Sequence, residues 1–133
     1  MTRFARRRVS KDLDPLKDLF SDQELAALNK FGAVICIAPG ELLFQEGTPG
    51  SEVAIIIEGQ AKITRGSKFV AKAEVGDILG DQAVLKNEAR GASVVAVTFL
   101  KISVLSIEAF ANTLTQSDDF RRRLDQQIQS RAA

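Results

Sequence analysis

The sequence predicts an antiparallel β-domain of the sandwich or jelly-roll type, flanked by α-helices at both ends. Three observations lead to this prediction. Short runs rich in β-branched residues follow one another from residue 33 to residue 106, as closely spaced strands do. All nine glycines lie between Gly32 and Gly91, where tight turns between such strands need them. Apolar residues recur at helical spacing on both sides of this region.

The first eleven residues are strongly basic. Five arginines and lysines precede the first acidic residue, and their spacing matches neither a helix nor a strand. We expect residues 1–11 to form a flexible basic tail, since a short charged terminus is typically a solvated end. Contact of this tail with nucleic acid or acidic lipid is the alternative interpretation.

Residues 12–31 are predicted to form the N-terminal helices. An aspartate followed by Pro15 is typical of a helix start, because proline suits the first helical position. Ser21 and Glu24 have the spacing of a capping box, in which each side chain bonds the backbone N–H of the other residue. Apolar residues then recur at helical spacing up to Gly32.

Residues 32–106 are predicted to form the β-domain. Its apolar runs are separated by turn signals such as Pro-Gly, Glu-Gly and Val-Gly-Asp. The runs are AVICIA, ELLFQE, EVAIIIE, QAKITR, KFVAKAEV, ASVVAVTF and LKISVLS. In EVAIIIE, Val53, Ile55 and Ile57 point to one side, and in QAKITR apolar and polar residues alternate. We therefore expect one face of the sheet to be buried and the other to face water.

Residues 107–133 are predicted to form the C-terminal helices. Ser106 is the expected N-cap of the first helix, and Ser117, followed by two aspartates, begins the second. The second helix carries an apolar stripe that consists of Phe120, Leu124 and Ile128. Such a stripe has to pack against another part of the protein.

The composition argues against several classes of protein. A chain of 133 residues has the size of one domain, and a net charge of +1 gives no sign of a surface adapted as a whole to nucleic acid or membrane. The absence of histidine argues against histidine metal sites, Ser-His triads and Cys-His dyads. One cysteine excludes an internal disulfide, and no run has the character of a signal peptide or membrane span. We therefore expect a soluble, cytoplasmic protein that is not an enzyme and binds no metal.

The segment GDILGDQAVLKNEARGASV, residues 76–94, is much longer than a plain turn requires. The QAVLK sequence within it has helical character. Gly80 permits a sharp bend, and a helix that starts just after Asp81 would direct the N–H groups of Gln82 and Ala83 into one space. A helix start of this kind is a ready site for an anion.

The other end of this segment carries a cation between small residues. The planar guanidinium of Arg90 suits two oxygens at once, and Gly91 and Ala92 leave room for a ligand to approach their backbone. Ionised Asp81 only accepts hydrogen bonds, so its natural partner beside a phosphate is a hydroxyl such as that of a sugar. These residue types indicate a pocket for a sugar phosphate. The alternative is a structural or surface ion pair between Asp81 and Arg90.

The order of these features resembles the cyclic nucleotide-binding domain family over roughly residues 13–130. The resemblance rests on APGELLFQEGTPGSEVAIIIEGQAKI and on the two halves of the loop that follows. The loop has Leu79-Gly80-Asp81 where the family usually has Phe/Leu-Gly-Glu, then Ala83-Val84-Leu85, then Arg90-Gly91-Ala92-Ser93-Val94 where the family has Arg-x-Ala-Ser/Thr-Val. The resemblance implies a jelly-roll β-barrel, or double-stranded β-helix, within a single domain at 12–133 whose phosphate-binding loop is 76–93.

The resemblance also implies roles for the loop residues. Arg90 would pair with the equatorial oxygens of a cyclic phosphate, and Asp81 would accept the ribose 2′-hydroxyl. The chain departs from the family at Asp81, because the usual glutamate reaches further by roughly 1.5 Å. Backbone N–H groups of Gln82, Ala83 and Ala92 would complete the phosphate cradle. The implied ligand-binding residues are Gly80, Asp81, Gln82, Ala83, Arg90, Gly91, Ala92 and Ser93.

The implied ligand is a cyclic nucleotide. We expect cAMP, because Gly91 lacks the hydroxyl that often accompanies preference for cGMP in this family; cGMP stays an alternative. No cofactor other than this ligand is implied. The chain has no tyrosine or tryptophan, so a lid that stacks on the base could use only Phe120 or an arginine of the segment 121–123.

The resemblance predicts a regulatory domain that senses cyclic nucleotide and signals through its C-terminal helix. That helix would either shift on binding or stay docked permanently. The expected partner is an effector protein or a larger parent chain, and a homodimer through the C-terminal helix is a further possibility; membrane and nucleic acid are not expected partners. The main alternative is a degenerate fold that has lost nucleotide binding and serves in assembly. An enzyme on a similar roll is disfavoured by the lack of histidine.

Overall fold

The computed structural model describes residues 7–8 and 11–132, and side chains from 11 to 130. The strands within these residues are β1 (Arg7–Arg8), β2 (Ala33–Ile37), β3 (Leu42–Phe44), β4 (Glu52–Glu58), β5 (Ala61–Arg65), β6 (Lys68–Ala73), β7 (Ile78–Leu79), β8 (Ser93–Ala96) and β9 (Leu100–Ser106). The helices are a 3₁₀ turn (Asp14–Leu16), α1 (Asp22–Phe31), α2 (Asp81–Leu85), α3 (Ile107–Gln116) and α4 (Asp118–Ala132). Every run predicted as a strand contains one.

The strands form two antiparallel sheets, which confirms the predicted fold class. One sheet has the strand order β1-β2-β9-β4-β7, and the other has the order β3-β8-β5-β6. In the first sheet β4 lies beside β9 with Ala54 opposite Val104, and in the second β5 lies beside β8 with Ile63 opposite Val94. The described strands form two facing sheets and not a closed barrel.

The start of the chain differs from the predicted tail at two residues. Arg7–Arg8 forms β1, which pairs with Cys36 and Ile35 at the edge of β2. An edge strand offers backbone N–H and C=O groups that a neighbouring segment can pair with, whatever its side chains are. Residues 1–6 and 9–10 of the predicted tail lie outside the described residues.

The predicted capping box is present at the start of α1. The Ser21 hydroxyl accepts a hydrogen bond from the Glu24 N–H at 3.2 Å, and the Glu24 carboxylate accepts one from the Ser21 N–H at 3.0 Å. The helix ends at Gly32 as expected. The helix predicted to start at Pro15 is only a short 3₁₀ turn, Asp14–Leu16.

The central strand β4 is buried on both of its faces, so the prediction of one wet face is wrong there. Ala54 and Ile56 pack between the two sheets. Val53, Ile55 and Ile57 pack on the opposite side, in a second apolar cluster with residues of the helices. Because helices cover the outer face of the five-stranded sheet, a continuous apolar strand is required here. The alternation predicted for β5 does occur, with Ala61 buried and Lys62 exposed.

The apolar stripe of α4 lies against that outer face. Phe120 and Leu124 are buried in the second cluster, and Ile128 packs against it. Ser117 caps the helix, because its hydroxyl accepts the Phe120 N–H at 3.1 Å. The predicted burial of the stripe is therefore confirmed, and α4 is docked in this structure.

Polar contacts fasten α4 to the N-terminal helices. Arg123 Nε donates to Glu24 Oε2 at 2.6 Å, and the Glu24 side chain is almost fully buried. A hydrogen bond with Ser21, and next the bond with Arg122, hold the pKa of Asp119 below its ordinary value. The charged groups at the start of α4 therefore reinforce its apolar packing. Across the part of the chain that the structure describes, no helix has the length and apolar character needed to span a membrane.

Candidate functional site

The loop after β6 begins with a short strand that the sequence analysis missed. Ile78 and Leu79 form β7, which pairs with Ile55 and Ala54 of β4. Gly80 follows in the left-handed region with φ of +84°, and α2 begins at Asp81, which confirms the short helix predicted in this loop. Pairing with β4 therefore fixes the point at which α2 starts.

Gly80 is required for its small size as well as for its backbone angle. A Cβ atom at this position would collide with Arg90 Nη1 and would lie 2.8 Å from Phe44 Cε2 and 3.1 Å from the Glu52 carbonyl oxygen. A non-glycine residue at this φ would also be strained. The close approach of Arg90 to the backbone thus depends on Gly80.

Two hydrogen bonds and one aromatic ring hold the side chain of Arg90. Its Nη1 donates to the Gly80 carbonyl at 2.9 Å, and its Nη2 donates to the Glu52 carbonyl at 2.7 Å. The guanidinium stacks on the Phe44 ring with its carbon 3.7 Å from the ring centroid. The residue is 6% exposed, so a cation is held in a defined orientation at a largely water-excluded place.

The turn before β4 supports the loop from outside. The Arg90 N–H donates to the Thr48 carbonyl at 2.7 Å, and the Arg90 carbonyl accepts the Gly47 N–H at 2.8 Å. Gly50 approaches α2 so closely that a Cβ there would lie 2.5 Å from the Ala83 Cβ. Backbone contacts of this turn therefore position Arg90 and α2 relative to each other.

These residues surround a cavity of 460 Å³. This volume lies within the roughly 300–1,000 Å³ common for small-molecule sites. The lining residues are Phe44, Ile63, Arg65, Val70, Ala71, Leu79, Gly80, Asp81, Gln82, Ala83, Arg90, Gly91, Ala92 and Val94. Seven of the eight predicted binding residues are among them, so the structure brings both halves of the loop to one cavity.

Ser93 is the predicted binding residue that does not line the cavity. It begins β8, and its hydroxyl accepts the Glu46 N–H at 2.9 Å. In β8 the neighbouring Val94 does line the cavity. Because side chains alternate along a strand, Ser93 faces away from the cavity wall that Val94 forms.

Asp81 is 1% exposed and lies at the first position of α2. A carboxylate at a helix start is favoured by the partial positive charge of that end. The side chain lines the same cavity as Arg90 and Gln82. The structure thus combines a buried acceptor and a buried cation in one wall.

The wall of the cavity that β5 and β6 form was not predicted from the sequence. Ile63 and Arg65 of β5 line the cavity together with Val70 and Ala71 of β6. The alternation in QAKITR puts Arg65 on the same side of the strand as Ile63, but it does not show that this end of the strand lies beside the loop. β6 pairs with β5 and brings Ala71 opposite Ile63. This register depends on the fold and could not be predicted from the sequence of either strand.

The residues considered as a lid are placed elsewhere. Phe120 is fully buried in the second apolar cluster, and Arg123 stacks on the Phe20 ring at 3.8 Å. Arg121 and Arg122 pair with Asp118 and Asp119 of their own helix. None of these α4 residues lines the cavity in this structure.

One side chain of α4 nevertheless reaches the loop. Gln127 Nε2 donates to the Ile78 carbonyl at 2.9 Å, and Gln127 Oε1 accepts the Ile78 N–H at 2.9 Å. One amide group therefore bonds both polar groups of a single residue, two positions before Gly80. This contact joins the C-terminal helix directly to the strand that leads into the site.

The residues present do not resemble a metal centre. Within the described part of the chain, no group of three or more cysteine, aspartate or glutamate residues has the spacing to hold an ion. The polar groups of the cavity are the guanidinium groups of Arg65 and Arg90, the Gln82 amide and the Asp81 carboxylate, which suit an anionic ligand with hydroxyl groups.

Comparison with known proteins gives one family and several relatives. The family model described as "Cyclic nucleotide-binding domain" matches residues 34–117. The cAMP-dependent protein kinase regulatory subunit of Hypocrea atroviridis is 28% identical over 123 residues, which are 90% of this chain and 27% of that protein. The cGMP-dependent protein kinase egl-4 of Caenorhabditis elegans is 32% identical over 97 residues, which are 73% of this chain and 12% of that protein. The chain thus spans only a small part of the length of these relatives.

Solved structures give the same fold. PKAR CBD2 with bound Sp-2Cl-cAMPS aligns with a TM-score of 0.70 at 25% identity, covering 89% of this chain and 80% of that chain. The catabolite activator protein of Thermus thermophilus aligns with a TM-score of 0.76 at 19% identity, covering 89% of this chain and 58% of that chain. Because the Thermus thermophilus protein is only 19% identical to this chain, its likeness concerns the fold alone.

Proposed function

The chain belongs to the cyclic nucleotide-binding domain family, and from this premise we propose that it binds a cyclic nucleotide, cAMP in preference to cGMP, as a regulatory domain. The observation that carries the proposal is the position of Arg90, a cation held at the wall of a cavity of 460 Å³ beside the start of α2. A phosphodiester placed there meets a fixed guanidinium and the first N–H groups of a helix, which lack partners within the helix. The domain acts by binding and carries out no catalysis.

The remaining lining residues suit the rest of such a ligand. Asp81 is a buried acceptor that lines the cavity, which fits a ribose 2′-hydroxyl donor. Gln82, Ala83 and Ala92 supply backbone N–H groups for the phosphate oxygens. The preference for cAMP rests on Gly91, which has no hydroxyl to meet the exocyclic amine of guanine.

We propose that α4 carries the signal of binding. A ligand shifts a population only by binding one state better than another. The Gln127 amide bonds Ile78 at the entrance to the loop, so a change in the loop on binding alters a contact that helps dock α4. The effector is another protein or another part of a longer chain, and a second copy of the domain joined through α4 is the alternative partner.

A degenerate, non-binding domain is the second candidate function. The observation in its favour is that Arg90 already donates to the protein's own carbonyls of Gly80 and Glu52. In such a domain Arg90 would hold the loop to β4 and the fold would serve in assembly. The open cavity that Arg90 lines favours the binding domain.

Thermal unfolding with matched ligands tests the proposal. A ligand at a hundred times its Kd stabilises the folded state by about 2.7 kcal/mol, which raises the Tm of a domain this size by roughly 5–10 °C. We expect this rise with cAMP, and no rise with AMP, which has the same base and sugar but an open phosphate. A Tm that is unchanged by millimolar cAMP and cGMP would support the degenerate domain.

A further inference from the structure

The cavity has two walls of different chemistry. The wall made by α2 and the end of the loop carries Asp81, Gln82 and Arg90. The opposite wall, made by β5 and β6, carries small and apolar side chains such as Ile63 and Ala71, and one cation that the family motif does not include, Arg65.

Arg65 is held at the rim of the cavity by a contact with the loop. It is the last residue of β5, and its Nε donates to the Gly91 carbonyl at 3.1 Å. A two-residue turn follows, in which Gly66 and Ser67 have φ of +56° and +70°. Arg65 lies on the same face of β5 as Ile63. Its side chain is exposed, whereas that of Arg90 is buried. The cavity therefore has one cation at its inner end and one at its mouth.

The position of the base follows from the proposed function, on which this inference rests. With the cyclic phosphate at Arg90 and the ribose at Asp81, the base extends toward the wall of β5 and β6. The one aromatic side chain among the lining residues is Phe44, and the Arg90 guanidinium covers its ring at 3.7 Å. The base thus finds no open aromatic ring within this cavity.

We infer that the Arg65 guanidinium, anchored through Nε to Gly91 at the cavity mouth, stacks on the face of the bound purine. A guanidinium is planar and more weakly hydrated than an ammonium, so it can lie flat on a π-system, which the ammonium of lysine cannot. The single charge of a cyclic phosphate is met by Arg90, which leaves Arg65 to act on the base. Stacking accepts any purine, so Arg65 determines retention of the base and leaves the choice between adenine and guanine to other residues.

Three variants separate stacking from charge. We expect Arg65→Ala to weaken cAMP binding by about tenfold in titration calorimetry, because it removes the stacking of one base on a side chain. Arg65→Lys keeps the charge but loses the plane, and we expect the same loss. Arg65→Trp restores a flat surface, and we expect affinity within about threefold of the wild type. Because the chain has no tryptophan, quenching of this indole by cAMP reports stacking directly.

Lys62 supplies matched controls on the same strand. It is exposed and does not line the cavity, so Lys62→Ala should leave the affinity unchanged, and Lys62→Trp should show no quenching by cAMP. The Tm of each variant without ligand checks that it folds.

The possible results are distinct. Wild-type affinity in Arg65→Ala, full affinity in Arg65→Lys, or an unquenched Arg65→Trp would overturn the stacking role while leaving the proposed function intact. Absence of cAMP binding by the wild-type protein would overturn the proposed function and the inference with it.

Discussion

Replacement of Gly80 by alanine measures how tightly the loop is built around Arg90. The matched control is Gly40→Ala, because both glycines have φ of +84° but a Cβ at Gly40 would meet nothing within 4 Å. The left-handed backbone costs alanine about 1–2 kcal/mol at either position. At Gly80 the added methyl must also displace Arg90 and Phe44, and such overpacking costs about 1–3 kcal/mol more.

Urea unfolding of both variants gives the two free energies directly. We expect Gly80→Ala to lose about 2–5 kcal/mol of unfolding free energy, the sum of the backbone and overpacking costs, and Gly40→Ala to lose only the backbone part. We also expect Gly80→Ala to weaken cAMP binding, because Arg90 moves, whereas Gly40→Ala binds as the wild type does. Equal losses of stability in the two variants would show that the close approach to Arg90 is not a constraint, and the description of the loop would then be wrong.

Three other substitutions test separate parts of the site. Arg90→Ala should weaken cAMP binding at least about tenfold in calorimetry, because truncating one partner of a buried charged contact costs about 2–5 kcal/mol; an unchanged Kd would refute its role. Asp81→Ala should abolish discrimination between cAMP and its 2′-deoxy analogue in competition binding, and equal binding of both by the wild type would contradict that role. Gln127→Ala removes two hydrogen bonds to Ile78, so it should lower the unfolding free energy by about 1–3 kcal/mol and speed hydrogen exchange at the Ile78 amide. Gln126→Ala, an exposed neighbour, should do neither, and identical behaviour of the two glutamine variants would exclude the contact.

Local signals of the sequence predicted much of the fold. The capping box of Ser21 and Glu24, and the hydrogen bond from the Gly32 N–H to the Leu28 carbonyl at the end of α1, are interactions within a few residues. Such interactions depend little on the rest of the molecule, so pattern and spacing suffice to find them. The strand runs were equally readable because β-branched residues and turn glycines alternate regularly along this region.

Features set by distant contacts were not predictable. The two residues of β7 form a strand because β4 lies beside them, and nothing in their own sequence marks this. The second buried face of β4 exists because α1, α3 and α4 cover it. Alternation puts Arg65 on the face of Ile63, but only the placement of β5 against the loop brings it to Gly91. Ser93 matched a motif, yet its alternation within β8 turns its hydroxyl to Glu46.

A crystal structure with saturating cAMP tests the central claim most directly. We expect density for the cyclic phosphate beside the Arg90 guanidinium and the first N–H groups of α2, with the ribose 2′-hydroxyl at Asp81. Absence of nucleotide from the cavity, or a cavity filled by the protein's own side chains at that concentration, would contradict the claim that this domain is a cyclic nucleotide sensor.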